Sequence, residues 1–308
     1  FKMIVALAGL EEGVITAQSS FFCPGFLEVG DGKFHCWRRH GHGHVNLTRG
    51  IAESCDVYFY EIARKVGIDK IAKMATRFGL GEDLVLDIPG SRSGLVPTKA
   101  WKRAVIGQPW MLGETLLAGI GQGFVLTTPL QLATMTAQMV NGGKHVVPHL
   151  ARDVVTRGEL TSRDDDARGS LDVNPKHLQV IMNAMNQVTH DPRGTAFAAR
   201  ITQAGKSMGG KTGTAQVRRI TQRERDGGVI KNKDLQWKYR DHALFVGYGP
   251  IEKPRYAISV VIEHGGGGSS VAAPIARDVM AATLDRDPAR LAPGADVAGL
   301  GGPGKQGS

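Results

Sequence analysis

The run Gly209-Gly210-Lys211-Thr212-Gly213-Thr214-Ala215-Gln216-Val217 decides between two architectures. Joined to the residues before it, Gly205-Lys206-Ser207-Met208-Gly209-Gly210-Lys211-Thr212 matches the phosphate-loop pattern G-x-x-x-x-G-K-T. That pattern demands a buried strand upstream and a helix starting at Lys-Thr, whose amides hold the phosphate. Neither context is present. Upstream, Arg200-Ile201-Thr202-Gln203-Ala204 is short and polar. Downstream, Gly213 and the β-branched residues favour a strand. A Walker-B-like run at 257–263 exists, so the decision rests on local context. As an extended edge the segment suits a different ligand. Lysine and threonine hydroxyls hold a carboxylate by charge-assisted hydrogen bonds, and a glycine between them lets a substrate backbone come close.

The surroundings read as helices first, then strand, strand, strand, helix. Residues 2–10 form a buried helix continuing toward Val14, and 19–46 a loop-rich excursion. Segments 47–53 and 57–66 have helical apolar spacing, interrupted by Ser54-Cys55-Asp56; a helix over 68–78 ends at Gly79 and Gly81. The Gly-, Pro- and Ser-rich stretch 81–113 is expected as surface loop with one short helix near Trp101. Thr127-Thr128 caps a helix over 129–140 that Asn141-Gly142-Gly143 stops. Residues 151–170, with Asp164-Asp165-Asp166, read as a solvated loop before a helix over 175–188. Segments 243–248 and 256–263 are strand-like, joined by a turn at Gly249-Pro250, and a helix over 271–284 closes the pattern. This predicts one α+β domain over 1–285, an antiparallel sheet backed by helices beside an all-helical region. The Gly/Pro-rich tail, 286–308, has too few large apolar residues to order itself.

With 308 residues, 42% hydrophobic and 22% charged, the chain is long enough to bury a substantial core. Its net charge of +9 is dispersed, apart from Arg38-Arg39 and a basic insert at 218–240 that is long for a hairpin and expected to be mobile. No recognition motif accompanies it, and no nucleic-acid partner is expected. No run approaches the ~20 apolar residues of a membrane-spanning helix. The chain opens on Phe1-Lys2, without Met, inside an apolar run, as expected of a piece cut from a longer protein.

A serine–lysine acyl-transfer site needs a nucleophile and a lysine one helical turn apart, a hydroxyl to relay protons, and a cationic strand for the substrate carboxylate. In penicillin-binding proteins and β-lactamases these are S-x-x-K, S-x-N or S-D-N, and K-T-G. Lys211-Thr212-Gly213 is the third element, and Ser54-Cys55-Asp56 looks like the second, with Asp for Asn. Lys2 fits the lysine of the first, because a long apolar helix follows it; alone it reads as a solvated lysine. The serine would lie three residues before Lys2, ahead of Phe1, so residues 1–308 are expected to be inactive by themselves.

Together with Gly41-His42-Gly43-His44, Ser54-Cys55-Asp56-Val57-Tyr58-Phe59-Tyr60, Gly119-Ile120-Gly121-Gln122-Gly123, Thr128-Pro129 and Trp237-Lys238-Tyr239-Arg240-Asp241-His242-Ala243-Leu244-Phe245, these motifs give a resemblance over roughly 1–285. The chain resembles the transpeptidase domain of class B penicillin-binding proteins, elongation type, in which Asp at position 56 is usual. The resemblance implies a penicillin-binding protein/serine β-lactamase-like α+β fold. It also implies a D,D-transpeptidase acting on peptidoglycan stem peptides that end in D-Ala-D-Ala and acylated by β-lactams. Lys2, held partly neutral by Lys211, would be the general base, and Ser54 would relay a proton to the departing amine. Lys211, Thr212 and Thr214, with Gly213 between them, would hold the terminal carboxylate. The Thr214 N–H would supply half of the oxyanion hole, and Asp56 would orient substrate or Lys2. A membrane anchor ahead of the chain, the periplasmic face of the inner membrane, and a lipid-linked glycan polymerase as partner are implied as well. The alternatives are a serine β-lactamase or penicillin-sensing receptor, for which no deacylating base is evident, and a nucleotide-binding protein.

Cys23, Cys36, His42 and Cys55 spell C-x12-C-x5-H-x12-C. Three thiolates and an imidazole suffice for tetrahedral structural zinc. A Cys23–Cys36 disulfide with a buried Cys55 is the alternative, since an odd count cannot pair completely. Some members of the elongation type carry zinc beside the second motif. The resemblance therefore implies His42 and Cys55 as ligands, with Cys23 and Cys36 matching the other two by spacing. Such an ion would tie 19–46 to Ser54 and take no part in the chemistry.

Overall fold

Nine of the ten residues of α1 (Lys2–Glu11) are buried, so this helix is stable only as the axis of a larger body. The computed structural model describes residues 1–84, 90–150, 153–156, 159–162 and 169–287. Around α1 pack α2 (Leu47–Ala52), α3 (Asp56–Val66), α4 (Ile68–Arg77) and α8 (Pro175–His190). Asn46 caps α2 by accepting the Arg49 N–H, and Asn174 caps α8 through the Lys176 N–H. The expected break at 54–56 is real: α2 ends at Ala52 and α3 restarts at Asp56.

The 19–46 excursion is not loop. Strand β1 (Phe21–Cys23) pairs with β4 (Gly43–Val45), and the hairpin β2 (Phe26–Val29)–β3 (Gly32–His35) lies nested between them. Two left-handed glycines close the nest. A Cβ at Gly25 would stand 2.2 Å from the Arg39 carbonyl oxygen, and one at Gly41 would stand 2.0 Å from that of Cys23.

Beyond α4, the short helix near Trp101 is α5 (Lys99–Val105), capped by Thr98. A further helix, α6 (Leu112–Gly119), packs on α3; it begins within the last two residues of the stretch expected as loop. Its glycines serve packing: a Cβ at Gly119 would stand 2.4 Å from that of Ala63. Helix α7 (Pro129–Val140) carries the Thr128–Gln131 capping box. Strands β5 (Asp153–Thr156) and β6 (Glu159–Ser162) form a hairpin within the segment expected as loop; Asp164-Asp165-Asp166 lies outside the described residues.

The sheet is antiparallel, ordered β7 (Gly209–Ala215), β8 (His242–Gly249), β9 (Tyr256–Ile262), with Lys211 opposite Val246 and Thr214 opposite Ala243. Helices α7, α8 and α10 (Ala273–Asp285) pack against it. A π-helical turn, Gly268–Ala272, leads into α10. The basic insert holds a short helix, α9 (Gln222–Gly227), and two 3-10 turns. Its ends are tied: Asp241 accepts the Val217 N–H at 3.3 Å and the Asn232 side-chain N–H at 3.1 Å. Of the tail, Arg286 and Asp287 are described, and Asp287 pairs with Arg255 at 2.9 Å; the expectation for the rest falls outside the described residues. No helix among the described residues is long and apolar enough to cross a membrane.

Candidate active site and adjoining thiol cluster

Helix α1 presents Lys2 from its first turn, the α2–α3 junction presents Ser54 and Asp56, and β7 presents Lys211. The junction works because Ser54 takes a left-handed backbone, φ 55°, between two helices. A non-glycine residue there costs on the order of 1–3 kcal/mol, and such strain persists only where the surroundings enforce it. Cys55 is extended and Asp56 opens α3.

The three elements converge on one hydroxyl. Lys2 Nζ donates to Ser54 Oγ at 3.0 Å, to the Ser54 carbonyl at 3.0 Å and to Asp56 Oδ1 at 2.6 Å. Lys211 Nζ donates to Ser54 Oγ at 2.8 Å and to the Thr212 carbonyl at 2.9 Å. A serine hydroxyl has two lone pairs and one hydrogen. With a lysine on each lone pair, the Ser54 hydrogen must point at some third group. The other Asp56 oxygen accepts the Trp37 N–H at 2.8 Å, so the carboxylate faces Lys2 and is braced from behind.

Burial, and then the charge of Lys2, hold the Lys211 ammonium well below the usual lysine range, with Asp56 partly opposing. Below that depressed pKa both native and unfolded chains are charged and the full cost of burial is present. Between it and the ordinary lysine value the unfolded chain holds the extra proton, so stability rises with pH across that window. Chemical denaturation at stepped pH checks this. Lys211→Met is expected to flatten the rise, and curves of equal slope for the two proteins would refute the assignment.

Strand β7 is an edge of its sheet among the described residues, and it runs unbroken through Lys211-Thr212. No helix begins there, which removes the phosphate-loop reading. Alternation sets Thr212 and Thr214 on one face, Lys211 and Gly213 on the other. The Thr214 carbonyl accepts the Gln122 side-chain N–H at 2.9 Å. A strand residue's N–H and C=O point the same way, so the Thr214 N–H also faces away from β8. Gln122 is presented by left-handed Gly121 and Gly123. Thr212 Oγ1 lies 2.8 Å from Thr195 Oγ1. Gln122 stood among the sequence features without a role, and Trp37 and Thr195 carry no motif at all.

The nested hairpins bring the fourfold set together. Cys23 pairs with Gly43 in the β1–β4 register, and the Cys36 and His42 amides bond to Gly25 and Cys23. All four side chains are buried, with ligand atoms within 4.8 Å of one another. His42 Nδ1 is 3.7 Å from Cys23 Sγ and 3.5 Å from Cys36 Sγ, while its Nε2 is buried without a partner. Ligands about 2.0–2.3 Å from a tetrahedral ion stand about 3.3–3.8 Å apart, so the cluster fits a metal. All three thiols are free. Cys23 is drawn down to about 3 by hydrogen bonds from Cys36 and Cys55; Cys55 is pushed up by its bonds to the other two and by burial. A cation is what would let all three ionise together.

The penicillin-binding protein transpeptidase domain model matches residues 1–281. Peptidoglycan D,D-transpeptidase MrdA of Haemophilus influenzae is 35% identical over 284 residues, 91% of this chain and 42% of the relative. That of Acinetobacter baumannii is 36% identical over 297 residues, 94% and 43%. The chain thus spans less than half the length of these curated relatives. Among solved structures, Pseudomonas aeruginosa PBP2 in complex with WCK 5153 is 40% identical, with TM-score 0.79, covering 92% of this chain and 59% of that one. Helicobacter pylori PBP2, solved in complex with MreC, is 34% identical with TM-score 0.79, covering 93% and 49%. An α+β fold shared with these structures, a family match over residues 1–281 and the convergence on Ser54 lead to one assignment: the chain belongs to the penicillin-binding protein transpeptidase domain family.

Proposed function

We propose that the protein containing this chain is an elongation-type peptidoglycan D,D-transpeptidase, cross-linking stem peptides that end in D-Ala-D-Ala and acylated by β-lactams. The observation that carries the reading is the pair of lysines on Ser54 Oγ, 3.0 Å from Lys2 and 2.8 Å from Lys211. The nucleophile is a serine three positions before Lys2, one helical turn away on the same face, and outside residues 1–308. Its hydroxyl attacks the penultimate D-Ala carbonyl carbon while Lys2 takes its proton. Ser54, both lone pairs held by the lysines, hands its hydrogen to the departing D-Ala amine and is reprotonated from Lys2. Lys211, Thr212 and Thr214 hold the terminal carboxylate, and the Thr214 N–H on the free edge stabilises the developing oxyanion. Asp56 aims Lys2.

The thiol cluster holds a structural zinc ion through Cys23, Cys36, His42 and Cys55. Bound there, the ion supplies a rigid cross-link rather than chemistry, because Cys55 lies between Ser54 and Asp56. The site works at the periplasmic face of the inner membrane, on a protein anchored by a segment outside this chain. A lipid-linked glycan polymerase is its partner. The names of the relatives support this: one solved relative belongs to a peptidoglycan synthase complex that coordinates polymerization and crosslinking.

Labelling with fluorescent penicillin, on a chain that supplies the serine, tests the reading. A long-lived adduct is expected. Rapid turnover would mean a β-lactamase, and no adduct would remove the assignment.

A further inference from the structure

We infer that Thr195 is a positioning residue for the substrate carboxylate: its hydroxyl sets the direction of the Thr212 hydrogen. This rests on the reading of β7 as the carboxylate-binding strand. Thr195 stands in a tight turn after α8. The Gly194 N–H bonds to the Asp191 carbonyl at 2.7 Å and the Ala196 N–H to that of Val188 at 2.9 Å. A Cβ at Gly194 would stand 2.4 Å from the carbonyl oxygens of both Gln187 and Val188, so the turn cannot relax toward them. The Thr195 N–H bonds to the Ala52 carbonyl at 3.0 Å, fixing the turn to the last residue of α2, two positions before Ser54.

From that fixed backbone the Thr195 hydroxyl reaches two oxygens, Thr212 Oγ1 at 2.8 Å and the Ala52 carbonyl at 3.3 Å. Each threonine has one hydrogen to give. If Thr212 donates to Thr195, Thr195 donates to Ala52 and Thr212 has nothing for an anion. If Thr195 donates to Thr212, the Thr212 hydrogen is free to turn outward. Only the second arrangement offers a donor to a carboxylate. Reaching it releases one long bond to a carbonyl that the Thr195 N–H already satisfies. Thr212 then accepts one hydrogen bond while donating another to an anion, and such a chain polarises both bonds.

Thr195→Val keeps the shape and removes the donor. On a chain that supplies the serine, stopped-flow acylation by a penicillin separates the non-covalent Kd from the acylation rate constant. The penicillin's carboxyl methyl ester is the control. Thr195→Val is expected to raise the Kd for the acid about twofold to fourfold, because it removes the donor that orients and polarises the Thr212–carboxylate bond rather than that bond itself. The rate constant should hold within twofold, the ester should bind unchanged, and Thr195→Ser should restore the acid's Kd. Added to Thr212→Val, the valine at 195 should change nothing more. The inference is overturned by an unchanged Kd, by equal losses for acid and ester, or by a loss confined to the rate constant. The last two would mean that Thr195 acts through Ala52 on Ser54. If Thr195→Val does not fold, Thr195→Cys, a poor donor, takes its place with the same expected outcomes. An unlabelled parent chain would instead defeat the transpeptidase reading itself.

Discussion

Lys2→Met, in a chain that supplies the serine, is expected to lower the rate of penicillin acylation by about 10³-fold, within the range that a positioned general base contributes. Lys2 Nζ lies within hydrogen-bond reach of Ser54 Oγ, the Ser54 carbonyl and Asp56, and among the described residues the other basic group on Ser54 Oγ is Lys211. Lys2→Arg should fail equally, because a guanidinium does not give up its proton. Stability should fall too. Asp56 is buried and would keep only the Trp37 N–H, and breaking one half of a buried ion pair costs about 3–5 kcal/mol. Lys2→Met combined with Asp56→Asn therefore should recover most of the unfolding free energy in urea and none of the acylation. Acylation of the single variant within tenfold of the parent would remove Lys2 from the base role.

The second large effect concerns the thiol cluster. Treatment with a zinc chelator, or Cys55→Ser, is expected to lower the melting temperature and slow acylation together. A structural ion worth about 3 kcal/mol to this chain would shift the midpoint by roughly 6–12 °C. Acylation is affected because Cys55 is the N-cap of α3, with strained Ser54 on one side and Asp56 on the other. Loosening Cys55 would let Ser54 relax from its left-handed backbone and draw its hydroxyl away from both lysines. The chelator should do nothing more to Cys55→Ser. Metal analysis finding no zinc, with Cys23 and Cys36 oxidised together, would sink the cluster's assignment. A normal acylation rate in Cys55→Ser would sink its coupling to the site.

What could be read from sequence depended on whether chemistry or packing set the residue. The strand at 209–215 was legible because Gly213 and its β-branched neighbours oppose a helix start, and the structure carries β7 straight through them. The gathering of Lys2, Ser54, Asp56 and Lys211 was legible because three spaced motifs implied it. Helix α6 was not. Gly113 and Gly119 punctuate its sequence, yet they are there because Phe34 and Ala63 press against them, a long-range fact with no local signal. The nested hairpins were hidden for a similar reason. Their register is closed by backbone approaches at Gly25 and Gly41, not by alternating apolar residues. Thr195 was invisible because a single threonine after a helix resembles any turn residue until the fold lays it beside Thr212.

The Gln122–Thr214 contact changes what an inhibitor can gain from this edge. An extended ligand that aligns with β7 and offers an amide hydrogen to the Thr214 carbonyl meets an acceptor already served by a carboxamide held between two glycines. Where it takes the direction that Gln122 occupies, its reward is the difference between two similar bonds, which is near zero, while the displaced side chain recovers rotamer freedom. Affinity at that position therefore comes from whatever captures the released Gln122 amide. A scaffold carrying a carbonyl beside its strand-forming N–H would exchange partners with the strand and Gln122 rather than merely compete for one.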